Sequence, residues 1–167
     1  RMTFKGGHEK WDYAVENLYA EIEFGNYSKN DPFLVYMGHI DVVPVGDESL
    51  WSYPPFKGTN ENGYIYGRGA TDMKSSVSTF ITAIENIIKD QNLTNTNCKI
   101  GFIITADEEW AAVNGSKKVL EYISDEKMHP TAFIVGEPSA TDYLEDFIKV
   151  GRRGSLIGSL TVTGIQG

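Results

Sequence analysis

The tetrapeptide Gly38-His39-Ile40-Asp41 follows directly on the apolar run Phe33-Leu34-Val35-Tyr36-Met37. An imidazole and a carboxylate are thereby offered where a buried strand runs out. Further carboxylates fall at comparable places: Asp72, the adjacent pair Glu108-Glu109, and Glu137. One neutral imidazole and several carboxylates form the donor set of a hydrolytic two-metal site, in which the cations polarise a carbonyl and acidify water. The spacing is long-range, so the chemistry depends on a fold that brings these positions together.

Each position also has a plainer reading. His39 can give one ring nitrogen to a metal while the other donates to a carboxylate, or it can be a strand-end histidine with a satisfied hydrogen bond. Asp41, two residues on, faces the same side if the extended geometry continues, and it could orient that ring. Asp72 follows Gly67-Arg68-Gly69-Ala70-Thr71; it can bridge two cations with one oxygen each, or simply cap a helix. Glu108 and Glu109, as neighbours in extended chain, point in opposite directions and would do different work. One could bind metal while the other takes a proton from water; the alternative is a solvated acidic loop. Glu137, between Gly136 and Pro138, is a weak signal alone, but its occurrence with the others in order favours a shared site.

The elements that must position these residues are legible as periodicity. Asn17 to Phe24 alternates and reads as a strand ended by Gly25-Asn26. Phe33–Met37, Lys99–Thr105 and Thr131–Gly136 are apolar runs of buried strands. The stretch from Val43 to Gly69 holds seven glycines and prolines between Pro44 and Gly67 and is mostly loop, with a possible short strand at Gly63–Gly67. Thr71-Asp72 is expected to cap a helix reaching about Lys89, with Val77, Phe80, Ile81, Ile84, Ile87 and Ile88 on one face. A second helix is expected from about Ser116 to Ser124, capped near Asn114-Gly115. Apolar strands alternating with helices indicate an α/β fold with a mixed, mostly parallel sheet covered by helices. Ligands of such sheets sit at the carboxyl ends of the strands, where His39, Glu108-Glu109 and Glu137 fall.

Composition narrows the function classes. The 167 residues suffice for one domain with a core, and the net charge of -8 argues against a nucleic-acid partner. The single cysteine, Cys98, has no internal disulfide partner and reads as a strand-edge residue, in keeping with a reducing, cytoplasmic setting. No apolar run approaches the ~18 residues of a membrane span, and no signal peptide opens the chain. The alternating run Leu156 to Thr163 reads as a strand without a partner, and the ends read as those of a fragment.

The ordered set Gly38-His39-Ile40-Asp41-Val42-Val43-Pro44, Gly67-Arg68-Gly69-Ala70-Thr71-Asp72-Met73-Lys74, Asp107-Glu108-Glu109 and Gly136-Glu137-Pro138 resembles the co-catalytic zinc metallopeptidases, a family that includes carboxypeptidases, aminoacylases and acetylornithine deacetylase. Finer features are similar to its succinyl-diaminopimelate desuccinylase branch. They are Gly46-Asp47-Glu48 before Trp51 and Pro54-Pro55-Phe56, Ala112 with Asn114-Gly115-Ser116, and Lys149-Val150-Gly151-Arg152-Arg153-Gly154-Ser155.

The resemblance implies a zinc exopeptidase-like catalytic domain, truncated, over residues 1–153, with 154–167 opening a second domain used for closure and dimerisation. It implies two zincs per full-length subunit, with cobalt an acceptable substitute. His39 and Glu137 would bind one zinc, Asp72 would bridge, and Glu109 would bind the second. Glu108 would be general base and then acid, Asp41 would orient His39, and the peptide after Asp72 would be cis. Arg152 would grip a substrate carboxylate, against the plainer reading of a solvated basic turn. The implied reaction is hydrolysis of N-succinyl-LL-2,6-diaminopimelate, a small-molecule substrate. The rivals are acetylornithine deacetylase or dipeptidase activity, and a noncatalytic metal-binding module. One departure stands out: the second zinc should receive a histidine, yet only His8, His39 and His129 exist, and neither His8 nor His129 matches a ligand position. In the family that histidine lies beyond the equivalent of residue 167.

Overall fold

The computed structural model describes residues 2–4, 13–89, 96–144, 146–151, 154, 156 and 158–165. Seven strands and two α-helices follow in the order β1 (Met2–Phe4), β2 (Val15–Phe24), β3 (Phe33–His39), β4 (Thr59–Glu61), β5 (Tyr64–Tyr66), α1 (Ser75–Lys89), β6 (Cys98–Thr105), α2 (Ser116–Asp125) and β7 (Ala132–Val135). Five strands form one sheet in the order β1-β2-β6-β3-β7. β3 lies parallel to both β6 and β7, while β2 runs antiparallel to β6 and to β1. The mixed α/β sheet expected from the apolar runs is what forms.

Alternation within the strands sorts side chains to two helix-covered faces. On one face Phe33, Val35 and Ile103 pack with Val119 and Ile123 of α2 as the fully buried core. Burying each such side chain contributes roughly 1.5–3 kcal/mol. On the other face Phe80 of α1 stacks on Tyr36 at 4.2 Å between ring centroids, and Phe102 lies 5.7 Å from it. Val77, Phe80, Ile84 and Ile87 are half-buried at helical spacing, while Ile81 and Ile88 remain exposed.

Register places the site. His39 is opposite Thr105 in the β3–β6 ladder and Met37 is opposite Val135 in the β3–β7 ladder. Pairing continues past the strand ends, with Ile40 N–H donating to the Thr105 carbonyl at 2.9 Å and Gly136 N–H to the Met37 carbonyl at 3.0 Å. Three carboxyl ends therefore open side by side.

Three expectations change. The Thr131–Gly136 run, expected to be a buried strand, forms β7 (Ala132–Val135) with all four residues exposed, because it lies at the edge of the sheet. The helix begins at Ser75, not at Thr71-Asp72: residues 70–74 make a wide turn in which Asp72 (φ -115°, ψ 97°) is extended and caps nothing. Gly69, at φ +80°, makes the turn possible, and a side chain there would meet Lys74 Nζ and Val42 Cγ1, each at 2.6 Å. The alternating run from Leu156 forms no strand among its described residues. Among the described residues no neighbouring strand offers it a ladder, and Leu156, Leu160 and Val162 are almost fully exposed. The short strand suspected near Gly63–Gly67 is β5, paired with β4 across Asn62-Gly63, both at positive φ (52° and 82°), a common two-residue hairpin turn.

Candidate metal centre

His39 is 1% exposed and lies at the centre of the group. Its Nδ1 contacts the Asp41 backbone carbonyl at 2.9 Å, with the Asp41 carboxylate Oδ1 farther off at 3.6 Å. With Nδ1 protonated toward that carbonyl, the lone pair of Nε2 faces the site. Around Nε2 lie Asp72 Oδ1 at 3.0 Å, Glu137 Oε1 at 3.4 Å and Glu108 Oε2 at 3.9 Å. From behind, the buried Met73 thioether accepts from the His39 backbone N–H at 3.3 Å. The Asp72–Met73 peptide is cis.

Glu108 and Glu109 do not diverge as they would in extended chain. The backbone bends after Thr105, and ligand atoms of both come within 4.8 Å of one another and of His39. The bend is held by Asp41, whose Oδ2 accepts from the amides of Glu108 at 2.9 Å and Glu109 at 2.8 Å. The side chain expected to orient the imidazole therefore makes its shortest bonds to the acidic loop. A second group, His39, Asp72 and Glu137, also has its ligand atoms within 4.8 Å of one another.

A sequence profile of peptidase family M20/M25/M40 matches residues 35–158, a span that includes every candidate site residue. The chain belongs to peptidase family M20/M25/M40. Proteins named succinyl-diaminopimelate desuccinylase from two Coxiella burnetii strains are each 50% identical to it over 141 residues, covering 84% of this chain. The chain spans 37% of the length of these relatives. Among solved structures, an M20 family metallo-carboxypeptidase from Sulfolobus solfataricus superposes with a TM-score of 0.60 at 28% identity, covering 82% of this chain and 28% of its own. Human carnosine dipeptidase 1 gives 0.59 at 25% identity, covering 74% and 26%.

The electrostatics of this M20 site fit a divalent cation. Burial pushes the Glu109 carboxyl up, and the charges of Asp72 and Glu108 push it further. Burial and the charge of Asp72 do the same to Glu137. Burial works against protonation of His39, but the Asp41 carbonyl and the charges of Glu137, Glu108 and Asp41 outweigh it and hold the ring above its ordinary value. Carboxylates so disposed repel one another, and no lysine or arginine ion pair to them occurs among the described residues. The distances agree as well: two ligand atoms on one tetrahedral zinc, each at about 2.0–2.2 Å, lie roughly 3.3–3.6 Å apart. Asp72 and Glu137, at 3.0 and 3.4 Å from Nε2, are close to that spacing.

Arg152 and His8 lie outside the described residues. His129 is exposed in the turn after α2, and Cys98 opens β6 with its thiol pushed up by burial. Asp107, Tyr13, Thr105 and Asn114 are close to the centre yet were invisible as a group in the sequence. Asp107 is 2% exposed and accepts from the Tyr13 hydroxyl at 2.5 Å, across 94 residues of chain. Burial and this bond push the Tyr13 hydroxyl up to about 12. The only local sign was position: Thr105 and Asp107 share the parity that points into the structure at the end of β6.

Proposed function

We propose that the protein carrying this chain is a zinc-dependent amidohydrolase that converts N-succinyl-LL-2,6-diaminopimelate and water to succinate and LL-2,6-diaminopimelate. The observation that supports it is one imidazole nitrogen faced by carboxylates from three separate elements at 3.0–3.9 Å. The substrate class is supported by the 50% identity to proteins named for that reaction.

His39 and Glu137 would hold one zinc, Asp72 would bridge, and Glu109 would hold the second, with a further ligand from outside residues 1–167. When bound, the zincs supply Lewis acidity toward the amide carbonyl and lower the pKa of water. Glu108 would take the proton of the attacking water at its carboxylate and return it to the nitrogen of the leaving amine as the C–N bond breaks. Asp41 would keep His39 in the tautomer that leaves Nε2 free. Arg152 would pair with the succinyl carboxylate in a bidentate arrangement. Residues 154–167 would open a second domain, and the full-length protein would work as a cytoplasmic homodimer. Cobalt would be accepted in place of zinc. The isolated 167 residues would be nearly inactive, since a second zinc would lack a ligand.

A panel of succinyl, acetyl and dipeptide substrates given to the full-length protein tests the assignment. Preference for the succinyl substrate by orders of magnitude is expected. Preference for a dipeptide would instead support the reading favoured by the two solved neighbours, a peptidase of the same family. Glu108→Gln should lower kcat by orders of magnitude. Full function in that variant would point to a noncatalytic metal-binding module. Elemental analysis of the isolated chain after zinc loading and desalting should find about one zinc, lost in Asp72→Ala.

A further inference from the structure

The proposed reaction leaves Asp107 without a task, although its carboxylate makes more bonds than any other near the centre. Oδ1 accepts from the Tyr13 hydroxyl at 2.5 Å and the Ala112 amide at 3.3 Å, and Oδ2 accepts from the amides of Val113 at 2.9 Å and Asn114 at 2.8 Å. Its own amide donates to Thr105 Oγ1 at 3.2 Å. Behind it, Asn114 Nδ2 donates to the Tyr13 carbonyl at 2.7 Å, and Asn17 Nδ2 donates to the Asn114 carbonyl at 3.0 Å. Asp41 holds the amides of Glu108 and Glu109 from the opposite side. The segment 107–114 is thus pinned from two sides by carboxylates, with Ala112 kept at φ 53°, a conformation alanine does not favour.

We propose that Asp107, with Tyr13 as its partner, is a positioning residue that fixes Glu108 and Glu109 for the second metal position and for proton transfer. The inference rests on the metal-site reading above. It follows from how the two halves of the site are supported. His39 and Glu137 stand at the ends of hydrogen-bonded neighbouring strands and Asp72 on its own turn, whereas Glu108 and Glu109 depend on a loop with no ladder of its own. A neutral side chain in place of Asp107 lacks the acceptor capacity for four donors, and an amide would turn an N–H toward one of them. The loop would then relax while the strand-borne half keeps its geometry.

Asp107→Asn and Tyr13→Phe in the full-length protein, each titrated with zinc by calorimetry and assayed for kcat and KM, decide the matter. The tighter zinc step should stay within about threefold of the unaltered protein, while the weaker step loses roughly 10–100-fold in affinity in Asp107→Asn. kcat should fall by a similar factor with KM within about threefold, and Tyr13→Phe should move the same quantities less. Equal weakening of both zinc steps in both variants would mark Asp107 as a general stability element and overturn the proposal. Two zinc steps and a kcat that neither variant moves would overturn it too, with the metal site intact. An unaltered protein that takes up no zinc would defeat the metal-site reading itself. If Asp107→Asn fails to fold, Tyr13→Phe alone decides, because it removes one hydroxyl and keeps the ring.

Discussion

Replacing Asp41 by alanine should loosen the acidic loop by an amount that the geometry sets. The Asp41 carboxylate, 18% exposed, accepts two loop amides at 2.9 and 2.8 Å, and its other oxygen lies 3.6 Å from His39. A hydrogen bond to a charged acceptor contributes about 1.5–3 kcal/mol, and the exposed Glu108 position places its bond at or below the low end because water can replace the partner. The two losses together come to about 2–4 kcal/mol of local stability. Amide hydrogen exchange over Ala106–Trp110 should then accelerate roughly 30–700-fold, at about 1.4 kcal/mol per tenfold. Asp41→Asn keeps a neutral acceptor oxygen, at about 0.5–1.5 kcal/mol per bond, and should lose about half as much. Exchange over β7 should be unchanged in both variants, since among the described residues Asp41 bonds to His39 and the acidic loop and not to β7. Unaltered exchange over the loop in Asp41→Ala would refute the claim that this side chain holds it. Equal acceleration of loop and strand would show that the substitution acts on the whole fold.

Zinc should stabilise the metal-free protein more at higher pH. The pKa values of His39, Glu109 and Glu137 are raised in the fold above their ordinary 6.5 and 4.5, so the proton-linked stability of the metal-free site is complete below the ordinary values and fades as pH rises through the raised ones. Zinc displaces those protons, so its increment in Tm should grow as pH rises above the ordinary values; an increment that is flat or falls would contradict this. Ile103→Ala, at a fully buried position in the central strand, should cost about 2–5 kcal/mol in denaturant unfolding, and a cost under about 1 kcal/mol would mean that α2 does not pack as described. Glu109→Gln removes a carboxylate whose ionised form burial and the neighbouring charges disfavour, so the metal-free protein at neutral pH should gain Tm while binding less zinc; a lower Tm would refute that argument.

β3 and β6 were legible because burial on two faces demands continuous apolar runs, and they extend by two residues and one residue the runs seen in the sequence, whereas the run that forms β7 is apolar yet exposed at the sheet edge. Their carboxyl ends then located His39 and Glu137 without further information. What failed depended on backbone detail that side-chain periodicity does not record. Asp72 resembles a cap by residue type, yet the turn at 70–74 delays the helix to Ser75. Glu108 and Glu109 would diverge in a strand, but bend together because Asp41, 67 residues away, takes both amides. The bond between Tyr13 and Asp107 spans 94 residues and has no local signature at all. The Leu156–Thr163 alternation shows the converse: period two is a strand only where a ladder exists to receive it.

These two kinds of support explain how a site so acidic holds together. Bringing His39 beside Asp72, Glu108 and Glu137 sets negative charges against one another at short range, and burial together with those charges raises the carboxyls of Glu109 and Glu137. The parallel ladders β6-β3-β7 can bear it, because their stability comes from a core on both faces that lies below the site and is indifferent to its charge. The loop cannot draw on that core. It is held by hydrogen bonds to Asp41 and Asp107, two further carboxylates, so its anchors add to the negative field that they organise. The arrangement therefore calls for positive charge at the centre. That requirement, rather than any single residue, is the strongest physical argument that this surface of the sheet is built for divalent cations.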